Sequence, residues 1–149
     1  MAVNTKILTS IHGRRFGLTA EGKLTMPGKL IVTQRSAGAI ESVQPAPGTL
    51  NATGTLTAAL MATGIVTSTT AAAVAATVDT GTAMSAAFPD MKVDDAFDWS
   101  AIATGANAFT VTAATGHTLV GSGVVATGTS KMFRSRKTAA TTWVTYNLS

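Results

Sequence analysis

From residue 96 onward, apolar side chains fall on every second position. In "DAFDWSAI", Phe97 and Trp99 share one side, with Asp98 and Ser100 on the other. "AFTVTA" alternates Phe109 and Val111 with Thr110 and Thr112. "HTLVGSGVVAT", "SKMFRSRK" and "TTWVTYNLS" continue the rhythm, and Val144, Tyr146 and Leu148 share a side. A period of two is the side-chain period of a β-strand, so these segments read as strands with one face buried. Sheets with one dry and one wet face are commonly antiparallel. Turn signals separate the runs: "TGAN" at 104–107, "ATGH" at 114–117, "TGTS" at 127–130 and "KTAAT" at 137–141. Short strands at this spacing predict a mainly β chain, an antiparallel β-sandwich or jelly-roll-like body. The Thr-Gly pair occurs six times at irregular intervals, which makes it turn punctuation and not a repeat period.

Upstream the texture changes. "TLTAALMATG" (55–64) predicts a short helix with Thr57 as its cap and Gly64 at its end. "TGTAMSAAFPD" (80–90) predicts a second, with Thr80 or Thr82 as cap and Pro89 after it. Between them, "GIVTSTTAAAVAATVDTG" mixes helix-favouring alanine with β-branched residues; the balance favours strands with a turn near 68–72. Residues 1–44 carry Gly13, Gly17, Gly22, Pro27 and Gly28, too much punctuation for a long helix. They read as an extended basic arm with short strands, "KILTSI" and "KLIVTQ" being the most β-prone. "QPAPG" then marks a linker. The predicted organisation is an arm at 1–44, a linker at 45–48 and a β body at 49–149.

A chain of 149 residues can build one domain with a real core. Alanine and threonine supply 27 residues each, against eight aromatics. Small side chains bury little apolar area apiece, so further stabilisation is expected from subunit or partner contacts. The chain has no cysteine, hence no disulfide and no thiolate metal site. No apolar run is long and unbroken enough to suggest a membrane span. Charge is segregated: residues 1–44 carry six basic and two acidic residues, 45–130 one basic and five acidic, and 131–149 four basic and none acidic. Basic ends around an acidic middle point to an acidic partner, nucleic acid or protein.

Candidates for chemistry are few. "DMKVDDAFDW" gathers Asp90, Asp94, Asp95 and Asp98 but lacks the glycine and terminal glutamate of a calcium loop; it reads as a solvated turn entering a strand. His12 and His117 have no neighbouring ligand at metal spacing and read as surface or interface residues. "GSG" at 121–123 is not a nucleophile elbow, and "GSGVVA" lies among strands, without the helix that would hold a pyrophosphate. No catalytic, metal or cofactor residue is therefore assigned, and the chain is not expected to be an enzyme.

The basic segments are the stronger signal. "HGRRFG" holds Arg14, Arg15 and Phe16, with Lys23 and Arg35 further along the arm. "KMFRSRK" places Arg134, Arg136 and Lys137 close together; on a strand, Arg134 and Arg136 share a side with Met132, opposite Phe133 and Ser135. Nucleic-acid binding would call for aromatics interleaved on an exposed sheet or a basic recognition helix, and neither is evident. Docking to an acidic protein surface fits better, because a glycine-punctuated basic arm gains order on a partner.

Three segments together resemble the small head decoration, or cement, proteins of tailed bacteriophages. They are "LTSIHGRRFGLTAEGKL", the middle stretch from "STTAAAVAATVDTG" to "TLVGSG", and "GTSKMFRSRKTAATTWVTYNLS". The resemblance is one of composition and architecture. It implies a virion protein on the outer surface of the capsid, with a β-rich body that forms dimers or trimers and clamps neighbouring major capsid protein subunits. Under it, Arg14, Arg15, Phe16, Lys23, Arg35, Arg134, Arg136 and Lys137 are the expected docking residues. Trp99, Phe109, Trp143 and Tyr146 are expected in the core or at a subunit interface. The competing reading is a carbohydrate- or receptor-binding module of a phage head fibre or tail, which needs exposed aromatic rings beside polar groups. Exposure of Trp99 or Trp143 would favour it.

Overall fold

A computed structural model describes residues 44–149 together with the strands Gly17–Leu18 (β1) and Leu24–Thr25 (β2). The chain divides into two units, Met1–Glu41 and Ser42–Ser149. In the first, β1 pairs antiparallel with β2, Gly17 opposite Thr25 and Leu18 opposite Leu24. The expected strands "KILTSI" and "KLIVTQ" lie outside the described residues, as do Arg14, Arg15, Phe16, Lys23 and Arg35.

The second unit is mainly β. Its strands are β3 (Gly48–Thr49), β4 (Gly54–Leu56), β5 (Ile65–Ser68), β6 (Val74–Val78), β7 (Ala96–Ala103), β8 (Phe109–Thr112), β9 (His117–Val120), β10 (Val124–Val125), β11 (Thr129–Ala139) and β12 (Thr142–Asn147). They form a six-stranded sheet in the order β3-β5-β7-β11-β12-β9 and a four-stranded sheet in the order β10-β8-β6-β4. Two short helices, α1 (Ala58–Ala62) and α2 (Gly81–Ala87), sit in the connections β4–β5 and β6–β7. Thr57 caps α1 as read from the sequence, and of the two candidates for α2 the cap is Thr80: their hydroxyls accept from the amides of Leu60 and Ala83. Past α1, Gly64 takes φ +79°, a left-handed turn that suits glycine. Gly48, placed in the linker by the sequence, is already a buried strand residue opposite Val66.

The expected antiparallel pairing holds for β7–β11, β11–β12 and β8–β10, and is corrected elsewhere. β3, β5 and β7 run parallel to one another, as do β4, β6 and β8, and β9 runs parallel to β12. The cause is the route of the chain. From β3 to β10 each successive strand changes sheet, so the neighbours β3, β5 and β7 of one sheet, and β4, β6, β8 and β10 of the other, are alternate strands in sequence. Through β8 each returns after a crossover that restores its direction, whereas β10 returns antiparallel to β8 and β11 antiparallel to β7. Only β11 and β12 are consecutive in one sheet, and they form an antiparallel hairpin. Alternation of side chains fixes which face is wet but carries no information on the direction of the neighbouring strand.

Inward side chains of both sheets share one buried cluster. The six-stranded sheet supplies Val66, Trp99, Ala101, Ala103, Phe133 and Trp143; the four-stranded sheet supplies Leu56, Val74, Ala76, Val78, Phe109, Val111 and Val125. Met61 of α1 and Met84 of α2 complete it. Trp99 and Phe133 are cross-strand partners and stack with centroids 4.7 Å apart. Phe88, Phe97 and Trp143 form a second aromatic group, with centroids 4.9–6.3 Å apart. A buried indole removes about 200 Å² from water, roughly 5 kcal/mol at ~25 cal/mol/Å² before ordering costs. The few large rings therefore offset the many alanines.

Candidate interaction face on the six-stranded sheet

The alternation that buries Phe133, Ser135 and Lys137 of β11 turns Met132, Arg134 and Arg136 outward. Register places these beside the outward residues of the adjacent strands. Met132 lies opposite Ser100 of β7, which lies opposite Ile65 of β5. Arg134 lies between Asp98 of β7 and Tyr146 of β12, and Tyr146 faces Val120 of β9. Arg136 lies between Ala96 and Val144, and Val144 faces Thr118. The result is an open sheet surface of cross-strand rows.

Its charges are already matched. Arg134 grips Asp98 with both ends of its guanidinium, Nε to Oδ1 at 2.7 Å and Nη2 to Oδ2 at 2.8 Å. That hydrogen bonding holds the Asp98 carboxyl below its ordinary range against a small opposing effect of burial, and holds Arg134 above its own. Arg136 pairs with Asp94, and its guanidinium is held up by hydrogen bonding to Tyr146 first and by the charge of Asp94 next. Asp94 reaches this position at φ +76°, with its amide bonded to the Lys137 carbonyl. Both pairs are solvent-exposed, so they tune the surface and add little to stability.

Between and beside the ion pairs lies apolar surface. Met132, Val120 and Leu148 are 49%, 47% and 47% exposed. Ile65, Ile102, Val144 and Tyr146 are half-buried. Methionine, tyrosine and arginine with aliphatic neighbours are the composition that protein interfaces favour. The four-stranded sheet presents a different outer surface. There Thr55, Thr77, Thr110 and Thr112 stand with Ala75 and Val124, and the hydroxyls of Thr77 and Thr112 are 3.0 Å apart.

Several sequence expectations change here. Trp99, Phe109 and Trp143 are core residues. Tyr146, expected in the core or at a subunit interface, is not in the core: it sits on the outward side of β12 because Trp143 and Thr145 take the inward positions. Lys137 is not beside Arg134 and Arg136. It shares the inward side with Phe133 and Ser135, and its Nζ donates to the Met91 carbonyl at 2.9 Å. Lys131, also on that side, donates to the Ser122 carbonyl at 3.3 Å. The four clustered cations of the C-terminal segment therefore do not make a common positive patch. Asp94 and Asp98 come from the acidic middle segment and neutralise the arginines across the β7–β11 ladder. Outward placement of Asp98 and Arg134 was readable from alternation, but the register that joins them was not.

His117, expected at the surface or at an interface, is 2% exposed. It opens β9 opposite Trp143, and its ring points inward to accept and donate hydrogen bonds. The acidic turn is as expected: Lys92 N–H donates to Asp95 Oδ2, and the stretch 90–96 is largely exposed. Asn51 spends its amide on Thr69, accepting from its N–H at 2.8 Å and donating to its hydroxyl at 2.9 Å. Among the described residues, no three His, Cys, Asp or Glu side chains are grouped to hold a metal ion. Among them, too, no helix is long and apolar enough to cross a membrane. Comparison with family models, curated proteins and solved structures gives no match.

Proposed function

We propose that this chain is a structural virion protein that binds the outside of a bacteriophage capsid and clamps neighbouring major capsid protein subunits. The observation that carries the reading is the outward face of the six-stranded sheet. Met132, Val120 and Leu148 are exposed there beside Tyr146 and two arginines whose charges are already matched. Such a face suits a partner that is itself a folded, largely neutral protein surface, with the basic arm at 1–44 supplying the attraction to acidic groups. A weak contact of this kind becomes firm retention when many copies sit on one shell. In this reading the two sheets form a sandwich-like body, set apart from an all-antiparallel jelly roll by its parallel ladders. The body assembles as a dimer or trimer, takes no cofactor and catalyses no reaction.

The carbohydrate-binding alternative loses its best groups. Trp99 and Trp143 are 1% and 0% exposed, so neither indole can stack on a sugar.

The test is co-sedimentation of the full-length chain with expanded heads of its own phage. The wild type should sediment with heads and raise their resistance to heating. Met132→Asp should lose most of that binding, and the pair Arg14→Glu with Arg15→Glu should weaken it in a salt-dependent way. A wild-type chain that leaves heads undecorated refutes the assignment. A Met132→Asp chain that decorates normally refutes the role of the sheet face.

A further inference from the structure

Four strands and the β6–α2 connection are tied through the core by one row of hydrogen bonds. Trp99 Nε1 of β7 donates to Ser135 Oγ of β11 at 3.0 Å. Ser135 Oγ is 2.8 Å from Thr145 Oγ1 of β12. Thr145 Oγ1 is 2.7 Å from His117 Nε2 of β9. His117 Nδ1 is 2.9 Å from the carbonyl of Asp79, which joins β6 to α2. Trp99, Ser135, Thr145 and His117 are all buried.

The two ends fix the direction of every bond. An indole N–H can only donate and a carbonyl can only accept. His117 must therefore carry its hydrogen on Nδ1 and accept at Nε2. Thr145 must donate to His117, and Ser135 must donate to Thr145. In that arrangement each hydrogen of the row has an acceptor, and no buried side-chain polar atom among the described residues is left without a partner. Protonating His117 at Nε2 breaks it. Thr145 must then turn its hydrogen toward Ser135, which already accepts from Trp99, and the Ser135 hydrogen loses its acceptor in the row. An unpaired buried donor and a buried positive charge are introduced together.

We infer that His117 is an acid-operated latch that holds the β9 edge strand and the start of α2 to β12 while neutral and releases them when protonated. The junction is tight where the latch sits. Gly81 N–H donates to the Thr115 carbonyl, and a Cβ at Gly81 would lie 2.1 Å from Thr141 O and 2.3 Å from Gly116 O. Release would also disturb the interaction face, because Val120 ends the same strand. Charged groups around the ring are few. The Asp79 carboxylate, which accepts from Ala58 N–H at 2.7 Å, favours protonation. Lys137 on β11 lies on the same inward side but gives its amine to Met91 O. β12 offers only Trp143 and Thr145, and α2 has no charged residue. Burial is the largest influence on the ring and lowers its pKa below 6.5, with Asp79 partly opposing it. The sign follows. A group whose pKa is depressed by folding contributes stability above its unfolded value, here 6.5, and loses it as pH falls.

The experiment is amide hydrogen exchange on the full-length protein from pH 7.5 to 5, corrected for intrinsic rates. Protection of Thr118–Val120 should fall below pH ~6.5, by up to about tenfold per pH unit for one proton, while β6–β8 amides stay protected. His117→Gln, whose amide can donate to Asp79 O and accept from Thr145, should remove the pH dependence. Wild-type β9 protection that is flat with pH overturns the latch, and so does an unchanged slope in His117→Gln. If that variant does not fold, ¹⁵N spectra of wild-type His117 decide. A neutral Nδ1–H ring persisting below pH 6.5 supports the latch, and an imidazolium or Nε2–H ring at pH 7 refutes it.

Discussion

Replacing Thr145 by valine keeps the shape of a fully buried side chain, makes it more apolar, and should nevertheless destabilise the protein. The hydroxyl it removes is the middle of the row: it lies 2.7 Å from His117 Nε2 and 2.8 Å from Ser135 Oγ. Valine leaves two buried groups unpaired, the His117 acceptor and the Ser135 donor. The imidazole cannot repair its own loss by changing tautomer, because Nδ1 must still donate to the Asp79 carbonyl. Each orphaned group costs about 1–3 kcal/mol, and the added methyl returns about 1 kcal/mol. The net loss is on the order of 3 kcal/mol, which for a body of this size lowers the melting temperature by roughly 10–25 °C. Thr145→Ser is the control: it keeps both bonds and gives up one methyl, about 1 kcal/mol. The assay is urea unfolding of the full-length chain at pH 7.5, followed by tryptophan fluorescence. Valine equal to or better than serine would refute the reasoning, since it would mean that burial outweighs hydrogen bonding at this position.

Two glycines should separate packing from backbone conformation. A Cβ at Gly105 would lie 1.8 Å from Thr70 O, whereas at Gly128 it meets nothing within 4 Å but needs φ +72°. Gly105→Ala should cost about 1–3 kcal/mol through overpacking, and Gly105→Asn more. At Gly128 the order reverses: asparagine, which tolerates the left-handed region, should cost less than alanine at about 1–2 kcal/mol. Denaturant midpoints of the four variants check both orders, and the same order at both sites would contradict the account. Arg134→Ala should return the Asp98 carboxyl to its ordinary range while leaving the melting temperature almost unchanged, because the pair is exposed. A carboxyl ¹³C titration that still finds Asp98 depressed would assign that depression to another group.

Much of the body was legible without coordinates. The cap Thr57, Thr80 as one of two candidate caps, the strand-turn-strand across 65–78, and the inward turn of Trp99, Phe109 and Phe133 all follow from local chemistry. Each is a rule about neighbours in sequence: a hydroxyl reaching an amide three residues on, or alternation on a pleated strand. The residues that lie where local reading did not place them do so through strand parity or through partners distant in sequence. Lys137 was grouped with Arg134 and Arg136 by proximity in sequence, yet the odd positions of β11 face inward and carry it with them. Tyr146, expected in the core or at a subunit interface, lies outside the core because its parity on β12 is opposite to that of Trp143. His117 showed no partner in sequence because its partners, Asp79 and Thr145, are 38 and 28 residues away.

The amino-acid sequence by itself determined that this chain is mainly β in its body, where its turns fall and that one side of each strand is dry, because alternation and capping act within a few residues. Only the tertiary structure decided which strands run parallel, which carboxylates neutralise Arg134 and Arg136, and how a lone histidine becomes the end of a buried hydrogen-bonded row. Those outcomes depend on strand order and register, which are set by a chain that changes sheet at nearly every strand. A residue's parity along its own strand does not encode the strand that will lie beside it.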